Sequence, residues 1–308
     1  MKQTNLFYRI GPHLLRVTGH SPLEPFVLLP SFAPFRLPTC EEQQAAEAIE
    51  VDICPCDTEV HEAQDTFAQP VFFDWEGMRC TIRRLSNGDY QLGIAPLSHP
   101  DTVAYAECSR HFRCNRLYIP EALLPHASFV VNNFLMMIYT FATAAQGTLM
   151  VHASVVLHAG KGYLFLGKSG TGKSTHASLW LKHIEGTRLL NDDNPVVAVD
   201  PKTGQVTVYG TPWSGKTPCY LNESAPVGAI VRLAQAPYNE IERLPGTRAF
   251  AALLPSCSCL RQDMDIYRGI IDTVTHVAMH IPICNLRCLP DEAAARLCMQ
   301  TVTQATQP

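Results

Sequence analysis

The pattern of hydrophobic and polar positions predicts a β-rich region over the first 120 residues. Leu6–Val17 has the length and composition of a hairpin that turns at Gly11-Pro12, and Val71–Phe73 and Met78–Leu85 alternate like strands. Asn87-Gly88 separates two further strand-like runs, and an Asn-Gly pair in that position is a strong signal for a tight hairpin.

A long apolar segment follows, and its pattern predicts a buried helix. Helix-compatible sequence runs from Glu121 to Ala145, and no Asp, Glu, Lys or Arg occurs between Glu121 and Lys161. The most apolar stretch, Phe134–Ala145, has only 12 residues, whereas a membrane-spanning helix needs about 20. We therefore expect a core helix followed by a buried strand, and no membrane partner.

Strands and helices alternate in the remainder of the chain. Leu149–Leu157 and Tyr163–Leu166 are apolar and β-prone, Lys173–Ile184 has helical character, and Val196–Val199 is again strand-like. This alternation is typical of an α/β fold. We predict a β-rich N-terminal region of unknown role, residues 1–120, and an α/β domain, residues 121–308.

Composition excludes several classes of protein. The 308 residues include 24 basic and 28 acidic side chains, 46% of residues are hydrophobic and 17% are charged, which is the balance of a packed domain rather than of a disordered chain. The net charge of −4 is spread without a basic stripe, so we expect no nucleic-acid partner. The N-terminus lacks the features of a signal peptide, and the 12 cysteines are scattered as in a protein with reduced thiols. We expect a cytoplasmic protein.

One glycine-rich segment lies between a predicted strand and a predicted helix, and it fits the pattern G-x-x-x-x-G-K-[ST] at every position. Glycines let backbone N–H groups approach phosphate oxygens, and a helix start favours negative charge. Lys173 is expected to bridge the β- and γ-phosphates, and Ser174 to ligate Mg²⁺. We predict a site for ATP and Mg²⁺, with a chance glycine-rich turn as the alternative. Its residues are Gly167, Lys168, Ser169, Gly170, Thr171, Gly172, Lys173, Ser174 and Thr175.

Two features on either side of this motif suggest what is done with the phosphate. Asp192 and Asp193 end an apolar strand-like segment, where one carboxylate can contact Mg²⁺ and the other can accept a proton from an attacking hydroxyl. His152 lies on the strand before the motif, and a hairpin would bring it back near the nucleotide. The alternatives are a solvated acidic turn and an ordinary core or surface histidine.

With these residues in view, the stretch from Met150 to Asp193 resembles the catalytic domain of bacterial HPr kinase/phosphorylase and the nucleotide-binding part of ATP-dependent phosphoenolpyruvate carboxykinase. The shared elements, in order, are a histidine on a strand, GxSGxGKS/T, and an aspartate pair after the helix. The resemblance implies a carboxykinase/HPr-kinase-like P-loop core in the α/β domain. It also implies His152 near the phosphates, Asp192 as the base and Asp193 as the metal contact.

The resemblance weakens beyond this stretch. HPr kinases carry a Glu-Ile-Arg-Gly-Leu-Gly signature after the acidic pair, and Gly210–Lys216 occupies that region instead. Lys216 is a candidate contact to phosphate or acceptor, and Arg243, Arg248 and Arg261 are further basic candidates. Because the signature is missing, the HPr substrate and a reverse phosphorylase activity stay open.

These observations predict an enzyme, a kinase that transfers a phosphoryl group from ATP and Mg²⁺ to a hydroxyl, such as a serine on a protein or peptide. Two alternatives remain, a carboxykinase-like enzyme acting on a small molecule and an ATP-binding regulatory module without catalysis. Related kinases assemble into oligomers, so a homo-oligomer is compatible with the resemblance, and the sequence leaves the oligomeric state open.

Overall fold

The chain forms two compact units in a computed structural model. The first contains the residues up to Arg9 together with His13–Ala142, and the second contains Ile10–Pro12 and the residues from Thr143 onward. The structure describes residues 3–38, 47–54, 60–64, 66, 69–75, 77–215 and 217–304.

The first unit is built on one eight-stranded sheet, so the β-rich prediction for this region is confirmed. The strands are β1 (Gln3–Ile10), β2 (His13–His20), β3 (Ile49–Cys54), β4 (Val71–Trp75), β5 (Met78–Arg84), β6 (Tyr90–Pro96), β7 (Ala104–Cys108) and β8 (Cys114–Tyr118). They lie in the order β1-β2-β3-β8-β7-β6-β5-β4. The β3 strand pairs parallel with β2 and β8, whereas β4 to β8 pair antiparallel. Both predicted turns, at Gly11-Pro12 and Asn87-Gly88, join neighbouring strands.

A short helix, α1 (Pro25–Leu28), precedes the long apolar helix, α2 (Ala127–Thr143). With the 3₁₀ turns at its two ends, α2 forms a 26-residue segment, Glu121–Gln146, that is long and apolar enough to cross a membrane. However, 78% of its most apolar 18-residue stretch is buried inside the protein. Its Tyr139 ring lies 5.8 Å from His13, and its Phe141 ring lies 5.2 Å from Phe112. The helix therefore packs within the first unit, and the units divide after Ala142 rather than at residue 120.

The described residues of the second unit form a nine-stranded sheet and four α-helices, which makes the fold mixed α/β with two sheets. The strands are β9 (Thr148–Met150), β10 (Ala153–His158), β11 (Lys161–Leu166), β12 (Arg188–Asn191), β13 (Val196–Val199), β14 (Val206–Tyr209), β15 (Ser224–Gln235), β16 (Glu240–Arg243) and β17 (Ile283–Cys288). The helices are α3 (Lys173–His183), α4 (Gly246–Leu253), α5 (Met264–His280) and α6 (Glu292–Gln304).

The strand predicted over Leu149–Leu157 is divided in two at Val151 and His152. The first half, β9, pairs with β13, whereas the second half, β10, pairs with β11 and β12. The chain changes partners between the halves, so the prediction of one continuous strand is wrong. The backbone N–H of His152 instead donates to the carbonyl oxygen of Ser256 at 2.7 Å.

The carboxyl ends of several strands lie at the same edge of this sheet, because these strands run in the same direction. Strands β11, β15 and β17 are mutually parallel, and β12 runs the same way because both β11 and β12 are antiparallel to β10. Trp180 of α3 is fully buried, with its ring 5.3 Å from Tyr163 and 5.5 Å from Phe165. This packing fixes α3 on the sheet, and α3 begins at the edge where β11 ends.

Candidate functional site

The glycine-rich segment forms the loop between the end of β11 at Leu166 and the start of α3 at Lys173. Gly170 and Gly172 have φ values of +79° and +106°, which side-chain-bearing residues rarely adopt. A Cβ on Gly167 would lie 3.0 Å from the side chain of Thr171, which is a tight contact, so a larger residue here would press on the loop. The loop thus brings backbone close to the first turn of a helix, an arrangement that favours a bound anion.

A chain of polar side chains links this loop to the acidic pair. The Nζ atom of Lys173 lies 2.7 Å from Nε2 of His152, and the Nδ1 atom of His152 lies 3.1 Å from Oδ1 of Asp193. Strand register explains the first contact, because Ala153 pairs with Leu166 and so places His152 beside Gly167. The structure therefore brings together three residues that the sequence proposed separately.

Lys173 is buried, and burial lowers the pKa of its ammonium, while Asp193 and Asp192 oppose that shift. The ammonium also donates to the carbonyl oxygen of Gly167 at 3.1 Å. A partly desolvated cation held beside a glycine loop interacts strongly with any anion that enters, because little water screens it.

Asp192 lies at the end of β12 and is 7% exposed. The hydroxyl of Ser154, which is fully buried on β10, donates to Oδ1 of Asp192 at 2.5 Å. Register again explains the contact, since Val155 pairs with Asn191. Ser154 is not evident as a site residue from the sequence alone, where it is only a single hydroxyl in the apolar run after His152.

The turn after the acidic pair is supported by a buried network. Asn191 donates through Nδ2 to Oγ1 of Thr211 at 3.1 Å and to the carbonyl oxygen of Trp213 at 3.2 Å. A Cβ on Gly215 would lie 3.1 Å from the carbonyl oxygen of Asp192, so the 211–215 segment packs directly on the acidic pair. Trp213 is 3% exposed and is a packing residue of this network.

The remaining predicted residues differ in their placement. Lys168, Ser169, Ser174 and Thr175 are exposed on the loop and the first turn of α3. Lys216 lies outside the described residues. Ser174 and Asp193 supply hard oxygen donors of the kind that Mg²⁺ prefers. In the described ranges, no group of three or more His, Cys, Asp or Glu side chains could hold a metal ion by itself.

The other basic candidates do not join this site. Arg248 pairs with Glu242 at 2.9 Å, and Arg243 lines a different cleft beside Phe250 and Met279. Arg261 is exposed in the turn before α5. The ten described cysteines are all free.

A cleft of about 670 Å³ lies over the glycine loop. It is lined by His152, residues 167–171, Arg232 of β15, Ala251 and Ser256, among others. Arg232 is not evident as a site residue from the sequence alone, where it is a single arginine within the apolar run 229–233.

A second groove, of about 680 Å³, lies along the other side of the loop and is lined by Thr175, His176, Leu179 and Pro290 among others. Burial lowers the pKa of His176 to about 4. Trp180 donates through Nε1 to Nε2 of His176 at 3.2 Å, so that ring nitrogen carries a lone pair and the imidazole is neutral.

Comparison with known proteins gives a family and weak likenesses to solved structures. No curated protein matches the chain. The structure of the Hpr(Ser) kinase/phosphatase from Coxiella burnetii matches with 12% sequence identity and a TM-score of 0.29, over 51% of this chain and 94% of that chain. A likeness at that level decides neither fold nor function, so the resemblance to HPr kinases stays a prediction.

The family comparison covers the region that carries the site. The family model described as SynChlorMet cassette protein ScmC matches residues 126–289, which include the glycine loop, His152, the acidic pair and Arg232. That match spans more than half of the 308 residues. The chain therefore belongs to the SynChlorMet cassette protein ScmC family.

Proposed function

We propose that this protein is a kinase that transfers the γ-phosphoryl group of ATP, with Mg²⁺, to the hydroxyl of an acceptor, which we take to be a serine on a protein or peptide. The observation that carries the proposal is the chain of contacts from Asp193 through His152 to Lys173 at the glycine loop. The buried Asp192 stands next to Asp193 at the same sheet edge. The motif resemblance to HPr kinases points in the same direction.

The residues at the loop fit a triphosphate and its metal. The positive φ values of Gly170 and Gly172 shape a backbone cradle at the start of α3, and Lys173 supplies a buried cation beside it. We assign the metal contacts to the hydroxyl of Ser174 and the carboxylate of Asp193, because hard oxygen ligands suit Mg²⁺. When bound, MgATP supplies the electrophilic γ-phosphoryl group.

We assign the proton transfer to Asp192. Ser154 occupies Oδ1 of this carboxylate, which leaves Oδ2 to accept the proton of an attacking hydroxyl. The hydrogen bond also fixes the orientation of the carboxylate. Since phosphoryl transfer depends mainly on positioning and on neutralising charge, a fixed base and a fixed cation are the parts that the protein must provide.

His152 acts as a positioning residue in this proposal. Its two ring nitrogens contact Lys173 on one side and Asp193 on the other, so it holds a phosphate-binding cation and a metal-binding carboxylate at a set separation. His152 also lines the cleft over the loop, so this pair of contacts borders the space that a nucleotide would occupy.

The test is phosphoryl transfer from γ-labelled MgATP to components of an extract of the source cells. Wild type is compared with Lys173→Ala and Asp192→Asn. A labelled protein that requires both residues supports the proposal and delivers the acceptor for identification.

Two other results would replace the proposal. ATP-dependent decarboxylation of oxaloacetate would identify a carboxykinase-like enzyme. Tight ATP binding without release or transfer of the γ-phosphate to protein or small-molecule acceptors would identify a regulatory module.

A further inference from the structure

Arg232 is a cation near the glycine loop, and it has no role in the proposed transfer as described above. It lies on β15 opposite Leu166 in the parallel pairing with β11, and Leu166 immediately precedes the glycine loop. Its side chain is exposed, and within the described part of the chain it forms neither an ion pair nor a side-chain hydrogen bond. Its guanidinium therefore presents its donors to the cleft and to solvent.

The second unit contains eight arginines. Four of them contact a glutamate within 3.0 Å, namely Arg188 with Glu223, Arg248 with Glu242, Arg287 with Glu240, and Arg296 with Glu292. Within the described residues, Arg232, Arg243, Arg261 and Arg268 have no such neighbour, and Arg232 is the one of these four that lines the cleft over the glycine loop.

The cleft that Arg232 lines has an uneven distribution of charge. Its lining includes Lys168 and Arg232, and no Asp or Glu of the described residues contributes to it. A concave surface that carries cations without a balancing carboxylate attracts anions, and the planar guanidinium matches two phosphate oxygens at once.

The order of strands separates this cation from the acidic pair. The sheet runs β12-β10-β11-β15, so Asp192 follows a strand on one side of β11 while Arg232 lies on the strand at the other side. In the proposed reaction the acceptor hydroxyl must approach Asp192. An anion beside Arg232 then belongs to the nucleotide rather than to the acceptor.

We propose that Arg232 is a further nucleotide-contacting residue, which binds the phosphates of ATP from the β15 side of the glycine loop. This inference rests on the proposed function, and it adds a specificity determinant to it. Arg232 makes the site prefer a nucleoside triphosphate over a monophosphate, because the guanidinium reaches phosphate oxygens that AMP lacks.

The experiment measures the binding of MgATP and of AMP to the full chain, in wild type, Arg232→Gln, Arg232→Lys and Arg296→Gln. The last variant is the matched control, because it removes an exposed arginine of the same unit whose surface ion pair contributes little. A charge-assisted hydrogen bond is worth enough that Arg232→Gln should weaken MgATP binding about tenfold to one hundredfold. AMP binding should change far less, and Arg232→Lys should restore part of the loss.

Each result decides between the inference and a different account. Unchanged MgATP binding in Arg232→Gln overturns the inference and leaves the proposed function standing, even if acceptor labelling is lost. Equal losses for ATP and AMP, accompanied by a lower Tm, show a structural role and also overturn it. Absence of MgATP binding in wild type contradicts the proposed function itself, and the inference with it.

Discussion

Lowering the pH should weaken the second unit through one buried histidine, His176, which lies on α3 one turn after Lys173. The imidazole is 3% exposed, accepts a hydrogen bond from Trp180, and contacts the Phe165 ring at a centroid distance of 4.7 Å. Protonation places a charge in this apolar setting and removes the lone pair that Trp180 uses. The perturbation is therefore acidification from pH 7 to pH 4.

The sign and size of the effect follow from the pKa. Burial lowers the pKa of His176 from 6.5 to about 4, so the unfolded chain binds the proton more readily than the folded one. The contribution to stability is complete above pH 6.5 and is lost progressively as the pH falls toward 4. A shift of that size corresponds to about 3 kcal/mol at most, from 1.36 kcal/mol per pKa unit.

The assay is urea unfolding at several pH values between 7 and 4, compared in wild type and His176→Gln. Glutamine can still accept from Trp180 through Oε1 but cannot be protonated in this range. The free energy of unfolding of the variant should fall less steeply with acidification, by about 2–3 kcal/mol over the range. His280→Gln, at an exposed position on α5, should keep the wild-type slope. Identical slopes for wild type and His176→Gln would refute the reasoning.

Two further experiments test the geometry of the site. Ser154→Ala leaves a buried oxygen of Asp192 without its donor, so urea unfolding should show a loss of about 1–3 kcal/mol, and a variant as stable as wild type would contradict the contact. Gly170→Ala and Gly186→Ala are matched, because both glycines have positive φ, +79° and +73°, with open space around the added Cβ. Each should cost about 1–2 kcal/mol in stability. Only Gly170→Ala should weaken ATP binding, and equal ATP binding in the two variants would show that the loop does not hold the phosphates.

The sequence anticipates much of the fold because its local signals are strong. The Gly11-Pro12 and Asn87-Gly88 turns, the buried α2 and the succession from β11 through the glycine loop to α3 all follow from short-range pattern. The break at His152 does not, because β9 and β10 change partners there, and strand partners are set by distant parts of the chain.

The same distinction applies to the site. The glycine loop and the acidic pair are contiguous motifs and could be found by reading along the chain. Ser154 and Arg232 could not be found in this way, because the position of each relative to the site depends on how its strand pairs with a neighbouring strand. Ser154 faces Asp192 through the pairing of β10 with β12, and Arg232 faces the loop through the pairing of β15 with β11. The contact between His152 and Lys173 similarly depends on the β10–β11 register.

The most direct test of phosphoryl transfer to a hydroxyl is the labelling rate of the acceptor by Asp192→Asn at saturating γ-labelled MgATP. Asparagine keeps an acceptor for Ser154 but cannot take a proton from the attacking hydroxyl. We expect an unchanged affinity for MgATP and a rate lower by about one hundredfold or more, the usual contribution of a general base. A variant that labels the acceptor at the wild-type rate would contradict the assignment of Asp192 and the proposed mechanism.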